Sequence, residues 1–258
     1  MYLRFAALGD STTFGIGDPL GDGWRGWARI LAAAMGRAHD VSFCNVAVSG
    51  ATARAVRTDQ LRVALGHQPT LASLIVGVND TMRSTWDPVA VRDDLMSCAE
   101  ALHGHGALLL TVRFHDHGEV FGLPGFLRRP LMARIEAVNR AYDEVYAHFG
   151  GIRVDLADCP EVRAREFWSV DRLHPSELGH RALAAAFADR LATEGIAFPR
   201  PSQLPTGPPP TWRSDLSWMV TEGVPWFGRR ARDLGPWAAR LAVARARRTP
   251  SVMEPAAR

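Results

Sequence analysis

Five apolar runs of strand length, residues 3–8, 41–47, 71–78, 107–114 and 152–156, alternate with longer stretches whose apolar positions recur every three or four residues. The longer stretches cover residues 24–37, 54–67, 88–103, 130–149 and 175–194 and predict helices. Several open on proline, which has no N–H to leave unpaired and a backbone angle suited to a first helical turn. Strand then helix, five times over, implies right-handed crossovers that lay parallel strands side by side with helices on both faces. The strands read as nearly continuous hydrophobic runs, as a sheet covered on both faces requires. The predicted fold class is therefore α/β, a three-layer α/β/α doubly wound sheet of about five parallel strands. In such sheets ligands gather outside the carboxyl ends of the strands, where the strand order reverses.

The pattern changes after Phe198. Pro199-Arg-Pro201 and Pro205-Thr-Gly-Pro-Pro-Pro210 read as a stiff, extended spacer that cannot continue a helix. The expected organisation is a body over residues 1–198, a Pro-rich linker over 199–210 and a C-terminal segment over 211–258. That segment holds Trp212, Trp218, Trp226 and Trp237, half the tryptophans of the chain. Residues 199–258 carry ten Arg against four acidic residues, whereas the body carries twenty against twenty-three. Three arrangements suit a basic, Trp-rich segment: docking on the body, contact with a partner subunit, and lying on an anionic membrane surface. Docking is placed first. Contact with nucleic acid is not expected, because Arg245, Arg247 and Arg248 make only a short basic cluster.

With 47% hydrophobic and 22% charged residues, the composition is that of a globular protein with a sizeable core. Every basic residue is Arg and none is Lys, which reads as a genomic composition bias. Cys44, Cys98 and Cys159 are widely spaced and form no C-x-x-C pair, so they are expected to be reduced thiols. The start at Met1 shows no charged region followed by an apolar stretch and a cleavage site, and no run of ~18 apolar residues occurs; a cytoplasmic protein is expected.

Candidate chemistry falls on the strand ends. Gly9-Asp10-Ser11 closes the first strand, so a hydroxyl heads the next segment; alone, the motif reads first as a helix cap. The second strand leads into Asn45-Val-Ala-Val-Ser-Gly50, where the N–H of Gly50 can approach a substrate oxygen. Gly77-Val-Asn79-Asp80 ends the third strand and offers the Asn79 amide on the same rim. After the fifth strand, Asp171-Arg-Leu-His174-Pro175 lets a carboxylate fold back onto one imidazole nitrogen and leaves the other to face a nucleophile. Four such features in order on one rim carry more weight than any one of them.

These four segments, quoted as they stand, resemble the blocks of the SGNH/GDSL hydrolase family, and the resemblance runs from residue 5 to about residue 195. It implies the family's small doubly wound, flavodoxin-like sheet, a serine nucleophile at Ser11, a general base at His174 oriented by Asp171, and an oxyanion hole made by Ser11, Gly50 and Asn79. One departure is Thr12, where Leu is common in the family; the segment beyond residue 199 matches none of the blocks. The implied activity is cleavage of carboxylic esters of small or medium acyl groups through an acyl-enzyme, on a small-molecule ester substrate and with no cofactor. An acyltransferase of the same fold, or a catalytically idle binding module, is the alternative.

His115-Asp116-His117 follows the fourth strand and reaches the same rim. A metal is not expected there, since no third ligand stands at a recognisable spacing. Thr12, His115, His117 and Phe121 are the candidate substrate-pocket residues.

Overall fold

The computed structural model describes residues 1–206 and, beyond them, Leu216, Val220 and Gly228. The end of the expected linker and the Trp-rich segment otherwise lie outside the described residues.

All five predicted strands form: β1 (Tyr2–Gly9), β2 (Asp40–Asn45), β3 (Leu71–Ile75), β4 (Leu108–Arg113) and β5 (Ile152–Asp155). They lie in one sheet in the order β2-β1-β3-β4-β5, and every neighbouring pair is parallel. The chain steps outward from β1 to β2 and then crosses back to β3 on the other side of β1. The order therefore reverses between β1 and β3, whose carboxyl ends meet at Gly9 and Ile75. Right-handed connections then put α1 (Gly26–Met35) and α5 (Glu177–Thr193) on one face, and the helices after β2, β3 and β4 on the other. The packing agrees: α1 lies on α5, and α3 (Pro88–Gly104) lies on α4 (Gly125–Phe149). Trp27 of α1 is wholly buried and stacks on Phe187 of α5 with ring centroids 4.9 Å apart. Burying a side chain of this size contributes about 2–3 kcal/mol.

Three helical side chains finish what the strand ladders leave unpaired at the carboxyl edge. Residues 53–66 form one irregular helix, α2, whose middle turn Val56–Gln60 is π-helical. Gln60 accepts from the N–H of Gly9 and donates to its carbonyl, both at 2.9 Å. The hydroxyl of Tyr142, on α4, does the same for Val76 just past β3, again at 2.9 Å in each direction. Asn139, also on α4, accepts from Phe114 N–H at 2.8 Å and donates to its carbonyl at 3.0 Å, just past β4. All three side chains are buried, where an unpaired backbone group costs about 1–3 kcal/mol. The rim is thus held rigid where the strand ends must present chemistry.

Several boundaries differ from the sequence-based expectation. β2 stops at Asn45 rather than residue 47, because the Asn45 amide donates to Thr13 O (3.0 Å) and its oxygen accepts from Ala47 N–H (3.0 Å), turning the chain off the sheet. Trp24 belongs to a short hairpin, Pro19–Leu20 against Gly23–Trp24, so α1 starts at Gly26. α4 starts at Gly125, five residues ahead of the expected proline. Pro130 sits inside it, where the missing N–H forfeits one helical bond in an early turn.

The first residues of the expected linker run along α5. Arg200 pairs with Asp189 at 2.8 and 2.9 Å, and Arg181 donates to Ser202 O at 3.0 Å and to the Thr206 hydroxyl at 2.9 Å. Among the described residues, no helix is long and apolar enough to cross a membrane.

Candidate active site

Asp10, at the end of β1, caps the helical turn Ser11–Phe14 by accepting from Thr12 N–H at 3.1 Å. That turn sets Ser11 at the head of the crevice, with its side chain largely buried. From the loop between β5 and α5, His174 brings Nε2 to 2.9 Å from Ser11 Oγ, across 163 residues of sequence. Its Nδ1 lies 2.6 Å from Asp171 Oδ2. The other Asp171 oxygen accepts from Leu173 N–H (3.0 Å) and His174 N–H (3.2 Å), which fixes the carboxylate within its own loop. With Nδ1–H donated to a carboxylate, Nε2 keeps its lone pair and can accept a hydrogen bond from the Ser11 hydroxyl.

The His174 loop is itself braced. Trp168 and Pro175 form an antiparallel bridge, Ser169 N–H donates to His174 O at 2.8 Å, and the Trp168 indole donates to Val162 O at 2.7 Å. Fully buried His180, on α5, accepts from Trp27 N–H at 3.2 Å and donates through Nε2 to Ile16 O at 2.9 Å, tying α5 to α1 and to the segment after Ser11. Burial pushes its pKa down to about 4, so it stays neutral and structural.

The other two expected rim residues lie beside Asp10. Asn79, in the turn Val78–Thr81 after β3, donates to Ala51 O at 3.1 Å and has its amide nitrogen 3.4 Å from Asp10 Oδ2. Gly50 adopts a left-handed backbone, φ +79°, and its carbonyl accepts from Arg83 at 3.3 Å. The amide of Asn79 therefore ties the Gly50–Ala51 turn to the residue preceding Ser11. Two carboxylates are buried here. Burial raises Asp10 to about 6, opposed first by the Thr12 N–H bond. Asp80, whose Oδ2 accepts from Ala53 N–H at 3.1 Å, is raised to about 7, again by burial first.

A small cavity of about 40 Å³ adjoins Ser11, bounded by Thr12, Asn79, Phe114, His115, His117 and Trp168 among others. His115 and His117 stack with centroids 4.0 Å apart, and Trp168 approaches the His115 ring at 4.9 Å. Burial, reinforced by the neighbouring His117, holds His115 well below the usual histidine range; burial lowers His117 to about 4. Both are neutral at pH 7. Among the described residues, no group of three or more His, Cys, Asp or Glu is arranged to hold a metal ion. Phe121 packs near His117, 6.1 Å between rings, and is not part of the cavity wall.

Thus Ser11, Asp171 and His174 come together directly, Asn79 and Gly50 lie on the adjoining turns, and Thr12, His115 and His117 wall the cavity. Sequence reasoning missed Gln60, Asn139 and Tyr142. Each is one polar side chain in a helical stretch, and nothing in local spacing distinguishes it from a solvated one.

Solved structures with this fold include the psychrotrophic esterase EstA from Pseudoalteromonas sp. (14% identity, TM-score 0.59, covering 74% of this chain and 97% of that one). An acetyl xylan esterase from Geobacillus stearothermophilus matches at 17% identity and TM-score 0.60, covering 77% of this chain and 97% of that one. The lipase/acylhydrolase from Enterococcus faecalis matches at 19% identity and TM-score 0.58, covering 78% and 100%. Comparison with curated protein sequences finds no match. The GDSL-like Lipase/Acylhydrolase family matches residues 7–182, most of the chain and all of the rim described above, and the chain belongs to that family of esterases and lipases.

Proposed function

We propose that this protein hydrolyses carboxylic esters of small or medium acyl groups through an acyl-enzyme on Ser11, with His174 as general base and Asp171 orienting it. The observation that carries the reading is the connected path from Asp171 to His174 (2.6 Å) to Ser11 Oγ (2.9 Å) at the reversal of strand order.

A serine hydroxyl is almost wholly protonated at neutral pH, so attack on a carbonyl needs a base that removes the proton as the C–O bond forms. Nε2 of His174 takes that proton, and Asp171 stabilises the imidazolium. The tetrahedral intermediate places its negative charge on the former carbonyl oxygen. Donors from Ser11 N–H, Gly50 N–H and the Asn79 amide would stabilise it, each worth about 3 kcal/mol in the transition state. His174 returns the proton to the departing alcohol. Water then attacks the acyl-enzyme, with His174 again taking and giving the proton, and Ser11 is regenerated as the acid leaves.

The cavity beside Ser11 supports a short acyl group. An apolar cavity of ~150 Å³ accepts a benzene ring; this one, at about 40 Å³, has room for only a few heavy atoms.

The test is turnover of acetyl, butyryl and octanoyl p-nitrophenyl esters by the wild-type protein and by Ser11→Ala. The expected result is preference for the shorter chains and loss of about 10³-fold or more in the variant. Turnover that survives Ser11→Ala refutes the reading. Product analysis in the presence of an acceptor alcohol separates hydrolysis from acyl transfer.

A further inference from the structure

Next to the Ser11 cavity, and sharing His115, Leu156 and Trp168 with it as a common wall, lies a second and larger groove of about 260 Å³. Three arginines line it: Arg163, Arg165 and Arg172. None of them forms an ion pair among the described residues. The two acids on the same lining, Asp116 and Glu119, share one partner, Arg128, at 2.7 and 2.8 Å. Three arginines against two acids, which Arg128 also bridges, leave the groove lining net positive beside the reacting serine.

The site is also partly preorganised. Arg165 is held by the carbonyls of Trp168 (2.7 Å) and Ser169 (3.1 Å) through a single nitrogen, which leaves its remaining donors for another acceptor. Arg172 lies inside the Asp171–His174 loop and holds a left-handed backbone, φ +56°, rare for a residue with a side chain. His115, 95% buried in the shared wall, has no hydrogen-bond partner on either ring nitrogen among the described residues. Guanidinium groups match the planar, two-oxygen geometry of carboxylates and phosphates.

Resting on the ester-hydrolase reading, we infer that the groove receives an anionic group, a carboxylate or phosphate, carried on the alcohol part of the ester. The small cavity takes the acyl part, and the bulkier alcohol part is left for the larger groove.

The experiment compares kcat/KM for 4-acetoxybenzamide, 4-acetoxybenzoate and 4-acetoxyphenyl phosphate, which share an acyl group and differ in charge. The readout is the ratio of each anionic ester to the neutral one, in the wild type, in Arg163→Gln and in Arg163→Gln/Arg172→Gln. This ratio cancels intrinsic reactivity and any general effect of the substitutions. It is expected to fall about fivefold in the double variant, as for solvent-exposed charge pairs. The fall is expected in KM rather than kcat, and likewise in the wild type as salt rises to about 0.5 M. Whichever anionic ester shows the larger ratio identifies the anion. A ratio equal in wild type and variants overturns the inference while leaving the esterase intact. If the wild type hydrolyses none of the three, the esterase reading falls instead, and calorimetric titration with 4-hydroxybenzoate decides the groove. Binding weakened about fivefold by the double substitution supports it, and equal binding overturns it.

Discussion

Gly17 rests against the carbonyl of Pro175 so closely that a β-carbon at position 17 would overlap that oxygen. Pro175 directly follows His174, so the loop after Ser11 and the loop carrying the imidazole are set against each other by the absence of one side chain. Gly17 also holds φ +102°, a region that L residues rarely adopt.

Gly17→Ala is therefore expected to displace the His174 loop and lengthen the Nε2 to Oγ distance. A misplacement of ~1 Å can cost about 10²-fold in rate. The check is kcat on an acetyl ester together with a thermal melt. A variant that keeps wild-type kcat shows that this contact does not position the imidazole.

Tyr142→Phe keeps the ring of a fully buried residue and removes the one oxygen that pairs both the N–H and the carbonyl of Val76. Two buried backbone groups lose their partner. The expected cost is about 2–6 kcal/mol, allowing about 1–3 kcal/mol for each group. Urea unfolding monitored by circular dichroism measures it, and a midpoint unchanged from wild type contradicts the clamp described for β3.

Asp80 gives a pH signature. Its ordinary value near 3.8 is raised to about 7 by burial, so between those limits the unfolded chain releases a proton that the folded chain keeps. Stability is thus highest below the unfolded value and is lost as pH rises through about 7. Asp80→Asn keeps an oxygen for Ala53 N–H and removes the ionisation. At pH 8 the variant is expected to be more stable than wild type by an amount on the order of 2–4 kcal/mol. At pH 4 the difference is expected to vanish. Equal stabilities at pH 8 would show that Asp80 ionises at little cost.

Asp171→Asn tests the orienting role. An amide at position 171 can offer its oxygen or its nitrogen to Nδ1, and the wrong choice presents a protonated Nε2 to Ser11. The predicted loss in kcat is about 10³-fold or more, with KM little changed. A loss under tenfold would make Asp171 a structural cap for the Leu173 and His174 amides and nothing further.

How far this arrangement was legible in the sequence depends on distance along the chain. The strands and the rim residues stood out because apolar runs give way within a few residues to Gly, Asp, Ser or Asn, and a parallel sheet brings all such ends to one edge. Asp171 and His174 were readable for a related reason: three residues suffice to fold one side chain onto the other. Gln60 and Tyr142 were not, since they meet Gly9 and Val76 across 51 and 66 residues. Their burial is decided by the docking of a whole helix. Pro130 misled because the rule placing proline in a first turn yields to a helix already started at Gly125. His115 and His117 were placed just past the fourth strand, but their face-to-face stacking and the approach of Trp168 from another loop are not written in their spacing.

The most direct test of the central claim is covalent labelling with a fluorophosphonate, followed by mass spectrometry of the peptide containing Ser11. The wild-type protein is predicted to gain one adduct on Ser11 rapidly, His174→Ala to react at least about 10³-fold more slowly, and Ser11→Ala to gain none. An unlabelled wild-type protein, or a label carried elsewhere and retained by Ser11→Ala, would contradict the account.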